Sequence, residues 1–344
     1  MSETNYHFDF MSKRQIAVWI SGALIAVSVL SLVFRGLDLG IDFTGGILLE
    51  VSYDQPVELD KTVRPLLEKI GIHEAEIVHF NTAKDVSINI SLEESIKFAK
   101  AKYGHDEDDV EQSTTEKPAQ ALLNQEMVKV SDKIFHLLKQ THAGVVTLQR
   151  VDFVGPKVGK ELTEDGGLAL LYALIGILVY VAFRFEYRFA LGSVAALVHD
   201  IIITLGFFAL FQVDVDLTVL AALLAVIGYS LNDTIVVFDR IRENFIKMRK
   251  GTSEEIINNS LNQTLARTLT TSLTTLLVLV ALFLLGGKVM HGFSTALIVG
   301  VVVGTYSSIY VASATALSMG ISKADLMPPV KEGQDDPDGE TPNA

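Results

Sequence analysis

Hydrophobic and polar positions alternate along the chain on two scales. Six runs of about twenty residues are apolar enough to cross a hydrocarbon core about 30 Å thick. They lie at 16–34, 167–184, 189–211, 217–238, 268–286 and 293–317. Between the first and second runs the period shortens. Residues 47–53 are apolar and β-branched, 59–70 have helical spacing, and 76–80 with 86–91 resemble paired strands. Residues 119–140 are again helical and 145–153 form a strand. That βαββαβ order predicts a ferredoxin-like α+β domain. The fold class expected is an α-helical polytopic membrane protein, with six transmembrane helices and one α+β domain between helices 1 and 2.

Lysine and arginine in the short connections set the orientation. Lys13 and Arg14 precede the first span, Arg184 and Arg188 separate the second and third, and Arg240, Arg242, Lys247, Arg249 and Lys250 follow the fourth. Only Lys288 lies in a short connection on the other side. Basic short loops stay on the cytoplasmic face, so both termini are expected inside and the α+β domain outside. The first span is read as a retained anchor, because Arg35-Gly36-Leu37-Asp38 does not resemble a small-residue cleavage site. The expected division is a cytoplasmic N-terminus over 1–15, the first span, and an outer domain over 35–166. Helices 2 to 6 follow over 167–317, with an amphipathic inner loop at 239–265, and a disordered tail over 318–344.

Composition sharpens this picture. The chain has 344 residues, 49% of them hydrophobic, with a formal charge of −13 and a mean hydropathy of +0.37. Residues 36–165 carry a net −10 and 323–344 a net −4, leaving +1 elsewhere. The acidity therefore belongs to water-exposed parts, and no clustered basic field is present for a nucleic-acid partner. There is no cysteine, which excludes disulfides and thiolate chemistry. The stretch 97–117, centred on Asp106-Glu107-Asp108-Asp109, is charged enough to be expected as a solvated loop, without the ligand spacing of an EF-hand.

An ionisable side chain within a span costs several kcal/mol unless it is paired, hydrated or neutralised. Three candidates stand out: Asp200 after His199 in the third span, Asp233 after Asn232 in the fourth, and Arg267 at the entry of the fifth. Asp233 lies about 24 Å along its span from the outer end, a depth where Arg267 could meet it. Thr271 and Thr274 continue the Arg267 face as hydroxyls able to hold water. Asp233 and Arg267 form either a site that exchanges a proton or small cation, or a static buried pair, or Arg267 only snorkels to the interface. Asp200 either shares the ion path or bonds to His199 or a neighbouring helix. The Gly-x-Gly-Asp context of an intramembrane protease is absent around both aspartates.

In the sixth span, Gly292, Ala296, Gly300, Gly304, Ser308, Ala312, Ala316 and Gly320 recur every four residues. Gly300 and Gly304 are the packing positions of this stripe, against either the same bundle or a partner. Gly45-Gly46 lacks the spacing and lysine of a P-loop, and no His-Glu-x-x-His occurs, so no cofactor, metal or enzymatic activity is expected.

Four stretches together resemble the SecF family, the smaller membrane subunits of the bacterial SecD–SecF export complex. They are Gly40-Ile41-Asp42-Phe43-Thr44-Gly45-Gly46, Val154-Gly155-Pro156-Lys157-Val158-Gly159, Ala196-Leu197-Val198-His199-Asp200, and the run from Gly228-Tyr229-Ser230-Leu231-Asn232-Asp233 to Arg242-Glu243-Asn244. The resemblance implies half of a resistance-nodulation-division transporter in the bacterial inner membrane. It implies SecD as partner, with SecYEG, YajC and the SecA-dependent translocon nearby, preproteins as substrate and lipid around the bundle. It also implies use of the ion-motive force in late translocation, with Asp233 and Arg267 matching the family's ion pathway. Asn232, Asp200, Thr271 and Thr274 are candidate supporting groups. The rivals are a small-molecule efflux half-transporter of the same superfamily and a non-conducting translocon scaffold.

Overall fold

A computed structural model describes residues 8–80, 82–103, 117–142, 144–184, 186–248 and 250–321. The central acidic run at 104–116 and the tail from 322 onward lie outside the described residues. Six helices are long and apolar enough to cross a membrane. They are α1 (Arg14–Phe34), α6 (Pro156–Arg184), α7 (Tyr187–Phe211), α8 (Leu217–Lys247), α9 (Ser253–Leu285) and α10 (Gly287–Ser307). The last continues through a π turn, Ser308–Ala312, into α11 (Ser313–Ser318).

Between α1 and α6 the chain forms α2 (Ile41–Thr44), β1 (Gly46–Tyr53), α3 (Arg64–Ile70), β2 (Glu76–His79), β3 (Asp85–Ser91), α4 (Leu92–Tyr103), α5 (Lys117–Thr141) and β4 (Val146–Val154). The four strands make one antiparallel sheet in the order β2-β3-β1-β4. Alternation creates its core. Ile47, Leu49 and Val51 of β1 and Val86, Ile88 and Ile90 of β3 are buried with Val63, Leu67, Met127, Val130, Ile134 and Leu138 from the helices. The segment 97–103, expected in a loop, is the second half of α4. Phe98 anchors it in the core, and Glu93 pairs with Lys97 one turn on at 2.6 Å.

The region 239–265, expected as an amphipathic loop, is mostly helix continuous with the spans. Ile241 and Phe245 of α8 and Ile256, Ile257 and Leu261 of α9 are buried together. Thr252 and Glu255 start α9 with a reciprocal capping box. The N-terminal segment docks on the same extension: the Phe10 amide donates to Asn258 at 2.7 Å, and Arg14 pairs with Glu254 at 2.7 Å.

The α+β domain is tied to the bundle by the glycine-rich segment after α1. Gly40 N–H donates to Val215 O at 2.8 Å, Val215 N–H to Asp38 O at 2.7 Å, and Leu217 N–H to the Asp42 carboxylate at 3.0 Å. Asp42 thus joins Asp216 in satisfying the free amides that begin α8. Gly46 turns the chain into β1 at φ +138°, and a Cβ there would lie 2.4 Å from Ile90 O.

Candidate functional site

Helical periodicity in α8 turns Ser230, Asp233, Thr234 and Val237 inward and leaves Asn232 exposed. Asp233 is 7% exposed. Its two oxygens accept from Thr268 of α9 at 2.7 Å and from Ser308, the first residue of the π turn, at 2.5 Å. Hydrogen bonds to a charged acceptor contribute about 1.5–3 kcal/mol each, so the two hydroxyls make the ionised state tolerable. Hydroxyls also rotate to accept from a protonated carboxyl, so this neutral shell serves both protonation states.

Arg267 does not pair with Asp233. Its neighbour Thr268 fills that position, and successive helical residues point about 100° apart. Arg267 is exposed on the bundle surface, within electrostatic reach of Asp233 and outside ion-pair distance. The static buried pair considered from the sequence is therefore not formed. Thr271 and Thr274 share the exposed face, where their hydroxyls bond to carbonyls of their own helix: Thr271 to Arg267 O at 3.1 Å and Thr274 to Thr270 O at 2.9 Å.

Asp200 of α7 is fully buried. It is held by His199 Nδ1 at 2.9 Å, Ser230 Oγ at 2.6 Å and Ser307 Oγ at 2.8 Å. The two carboxylates are thus contacted by adjacent residues of one helix. Ser307 ends α10 and Ser308 starts the π turn, so the two donors flank the change in helix type, and such turns are frequent at functional positions. A second hydroxyl layer follows on α8, α9 and α10: Ser272 bonds Thr305 at 2.6 Å, and Tyr229 donates to Ser272 at 3.3 Å.

The small-residue stripe makes this proximity sterically accessible. A Cβ on Gly300 would lie 2.2 Å from Val226 Cγ2, and one on Gly304 3.1 Å from Ser230 Cβ. Gly300 and Gly304 therefore face α8 of the same chain. Four groups of the cluster, Ser230, Thr268, Ser307 and Ser308, were not singled out as site residues from the sequence. Their signal was present: Ser230 precedes Asp233 by one turn, and Ser308 falls in the stripe.

Residues 133–322 match the family described as protein export membrane protein SecD/SecF, C-terminal, and residues 30–57 match the SecD/SecF GG motif. The chain belongs to the SecD/SecF family. Among its relatives is protein translocase subunit SecF of Vibrio alginolyticus, 47% identical over 94% of this chain and 93% of that protein. SecF of Escherichia coli O157:H7 is 43% identical over 96% and 94%. The crystal structure of SecDF, a translocon-associated membrane protein from Thermus thermophilus, superposes with a TM-score of 0.75 at 33% identity, over 93% of this chain and 39% of that one. The SecD/SecF C-terminal match spans the whole polar cluster apart from the first helix. The GG motif match contains the segment in which Asp42, Gly45 and Gly46 join the α+β domain to the bundle.

Proposed function

We propose that this chain is the SecF-type subunit of a SecD–SecF complex in the bacterial inner membrane. It uses the ion-motive force to promote late-stage translocation of preproteins out of the cytoplasm. The observation that carries this reading is Asp233: a buried intramembrane carboxylate bound by two hydroxyls and, among the described residues, left without an ion-pair partner. Such a group can take up and release a cation, whereas one locked to an arginine cannot do so cheaply.

Each charge crossing the membrane contributes about 2.3 kcal/mol per 100 mV. Loading Asp233 changes its demand on Thr268 of α9 and on Ser308 at the π turn. α8 begins at Leu217, whose amide is held by Asp42 of the GG segment, so a shift of α8 reaches the α+β domain. The antiparallel order β2-β3-β1-β4 in a βαββαβ chain supports a ferredoxin-like domain, and the basic short loops support its placement on the periplasmic side with both termini inside. Exposed Arg267, with Asn232, Thr271 and Thr274 also at the chain's surface, fits a path completed by SecD. SecYEG, YajC and SecA are the neighbours that this role implies. The rival reading as a non-conducting scaffold makes neutral changes at Asp233 harmless.

The test is preprotein export in cells whose chromosomal copy carries Asp233→Asn. Loss of the complex's contribution to export, with normal accumulation of the protein in the membrane, is expected. Full export by the variant refutes the reading.

A further inference from the structure

The described cluster contains a buried titratable pair, His199 and Asp200, that the proposed path through Asp233 does not use. His199 is 3% exposed and Asp200 fully buried. His199 Nδ1 bonds Asp200 at 2.9 Å, and its Nε2 lies 3.1 Å from Ser21 Oγ of α1. Ser21 in turn is 3.1 Å from the Tyr306 hydroxyl, which donates to Ala17 O at 2.9 Å. Ser21 and His199 also line a groove of about 1190 Å³ between α1, α7 and the end of the sixth span. Its walls are largely apolar. Gln15, Thr315, Ser318 and Arg14 are among its other lining residues.

We propose that His199 and Asp200 form a second protonatable site, served through this groove and coupled to Asp233 through Ser307 and Ser308. The proposal rests on the reading of Asp233 as an ion carrier and deepens it. It assigns an inner-side site to the same machine, since α1, α7 and α11 have their Arg14, Tyr187 and Ser318 ends on the cytoplasmic face in that reading.

The hydrogen bonds around the pair accommodate both charge states. With His199 neutral, Ser21 donates to Nε2 while Nδ1–H donates to Asp200. With His199 protonated, Nε2–H donates to Ser21, whose hydroxyl turns to Tyr306, and Tyr306 keeps Ala17 O as its acceptor. Proton balance follows the same chain. A hydronium ion in the groove gives a proton to Ser21 oxygen as Ser21 passes its own to Nε2, and the reverse sequence returns a proton to groove water. Asp200 accepts from His199, Ser230 and Ser307 throughout.

The groups facing the pair permit such a change. Tyr306 stacks on His199 with ring centroids 6.1 Å apart, and Tyr310 packs on Tyr306 at 5.3 Å. From α1 the charged group is Arg14, held at 2.7 Å by Glu254 of α9. From α8 it is Asp233. Among the described residues, His199 is the one basic group paired with Asp200. A new charge on His199 changes the pull of Asp200 on Ser307, and Ser308, the next residue, is a donor to Asp233. The two sites therefore sense each other through a single turn.

The test uses the intact complex in proteoliposomes, with inner- and outer-face pH varied separately, the total ion-motive force held constant through the membrane potential, and translocation rate as the readout. The unmodified complex is expected to change rate several-fold as inner pH is lowered from neutral. His199→Gln, which retains side-chain hydrogen bonding without the titration, is expected to be active with a flat inner-pH profile and an unchanged outer-pH profile. Ser21→Ala, a change in the groove wall, is expected to blunt the inner-pH response. An inner-pH response that survives in both variants, or is missing from the unmodified complex, overturns the proposal. Asp233→Asn run in parallel separates the two claims. If it is inactive while His199→Gln behaves like the unmodified complex, only the second site is refuted; if it translocates normally, the carrier reading fails first.

Discussion

Ser307 and Ser308 are consecutive residues of the sixth span, yet Ser307 donates to Asp200 at 2.8 Å and Ser308 to Asp233 at 2.5 Å. Asp200 and Asp233 sit on different helices, α7 and α8, and the junction of α10 with the π turn addresses both. Ser230, one turn before Asp233, completes the link by donating to Asp200 at 2.6 Å. The two acids thus have partners on shared helices, Ser307 beside Ser308 and Ser230 one turn before Asp233, so a shift at either is passed along the backbone to the other.

Steric demands differ sharply between a glycine of α10 and one of α8. Gly300→Ala would press a methyl group into Val226, whose Cγ2 would lie 2.2 Å away, whereas nothing lies within 4 Å of a Cβ on Gly228. Overpacking costs about 1–3 kcal/mol. Thermal unfolding in detergent is expected to show Gly300→Ala clearly destabilised and Gly228→Ala unchanged or slightly stabilised, since alanine is the better helix former.

Coupling between the domain and the proposed ion site is expected to depend on Asp42. Its carboxylate accepts from Leu217 N–H at the start of α8, a capping interaction that contributes about 1 kcal/mol. Asp42→Ala should leave the complex assembled and reduce export, while Asp42→Asn, which retains an acceptor oxygen, should keep most of it. Equal export by all three proteins would remove Asp42 from the coupling path.

The α+β domain carries its own acid-sensitive contact. His142 Nε2 lies 2.9 Å from Asp54, and that hydrogen bond holds the Asp54 carboxyl below its ordinary range. A carboxyl lowered in the folded state stabilises the fold above its unfolded value of about 3.9, and this contribution is lost as pH falls through the lower, folded one. Hydrogen exchange of the β4 amides, followed from neutral pH downward, is expected to show less acid sensitivity in Asp54→Asn than in the parent. Identical acid profiles would contradict the assignment.

Much of this architecture is legible from periodicity alone. Runs of about twenty apolar residues and the alternation at Ile47, Leu49 and Val51 need no tertiary information. Helix phase is harder to read. Depth places Arg267 and Thr268 equally near Asp233, and only the packing of α9 decides that the threonine turns inward. Contacts across long separations are less accessible still: the Ser21–His199 bond spans 178 residues and the Asp42–Leu217 bond 175. The continuation of α4 through Tyr103 was hidden by its charge, because the anchoring of Phe98 depends on a core built from distant strands.

In the proposed function, Asp233 carries the ion that drives translocation. The most direct measurement is gradient-stimulated preprotein translocation by the reconstituted complex carrying Asp233→Asn, under proton and sodium gradients imposed separately. One gradient is expected to accelerate the unmodified complex, and neither is expected to accelerate the variant, which assembles normally. Undiminished acceleration of Asp233→Asn by the same gradient would contradict that role.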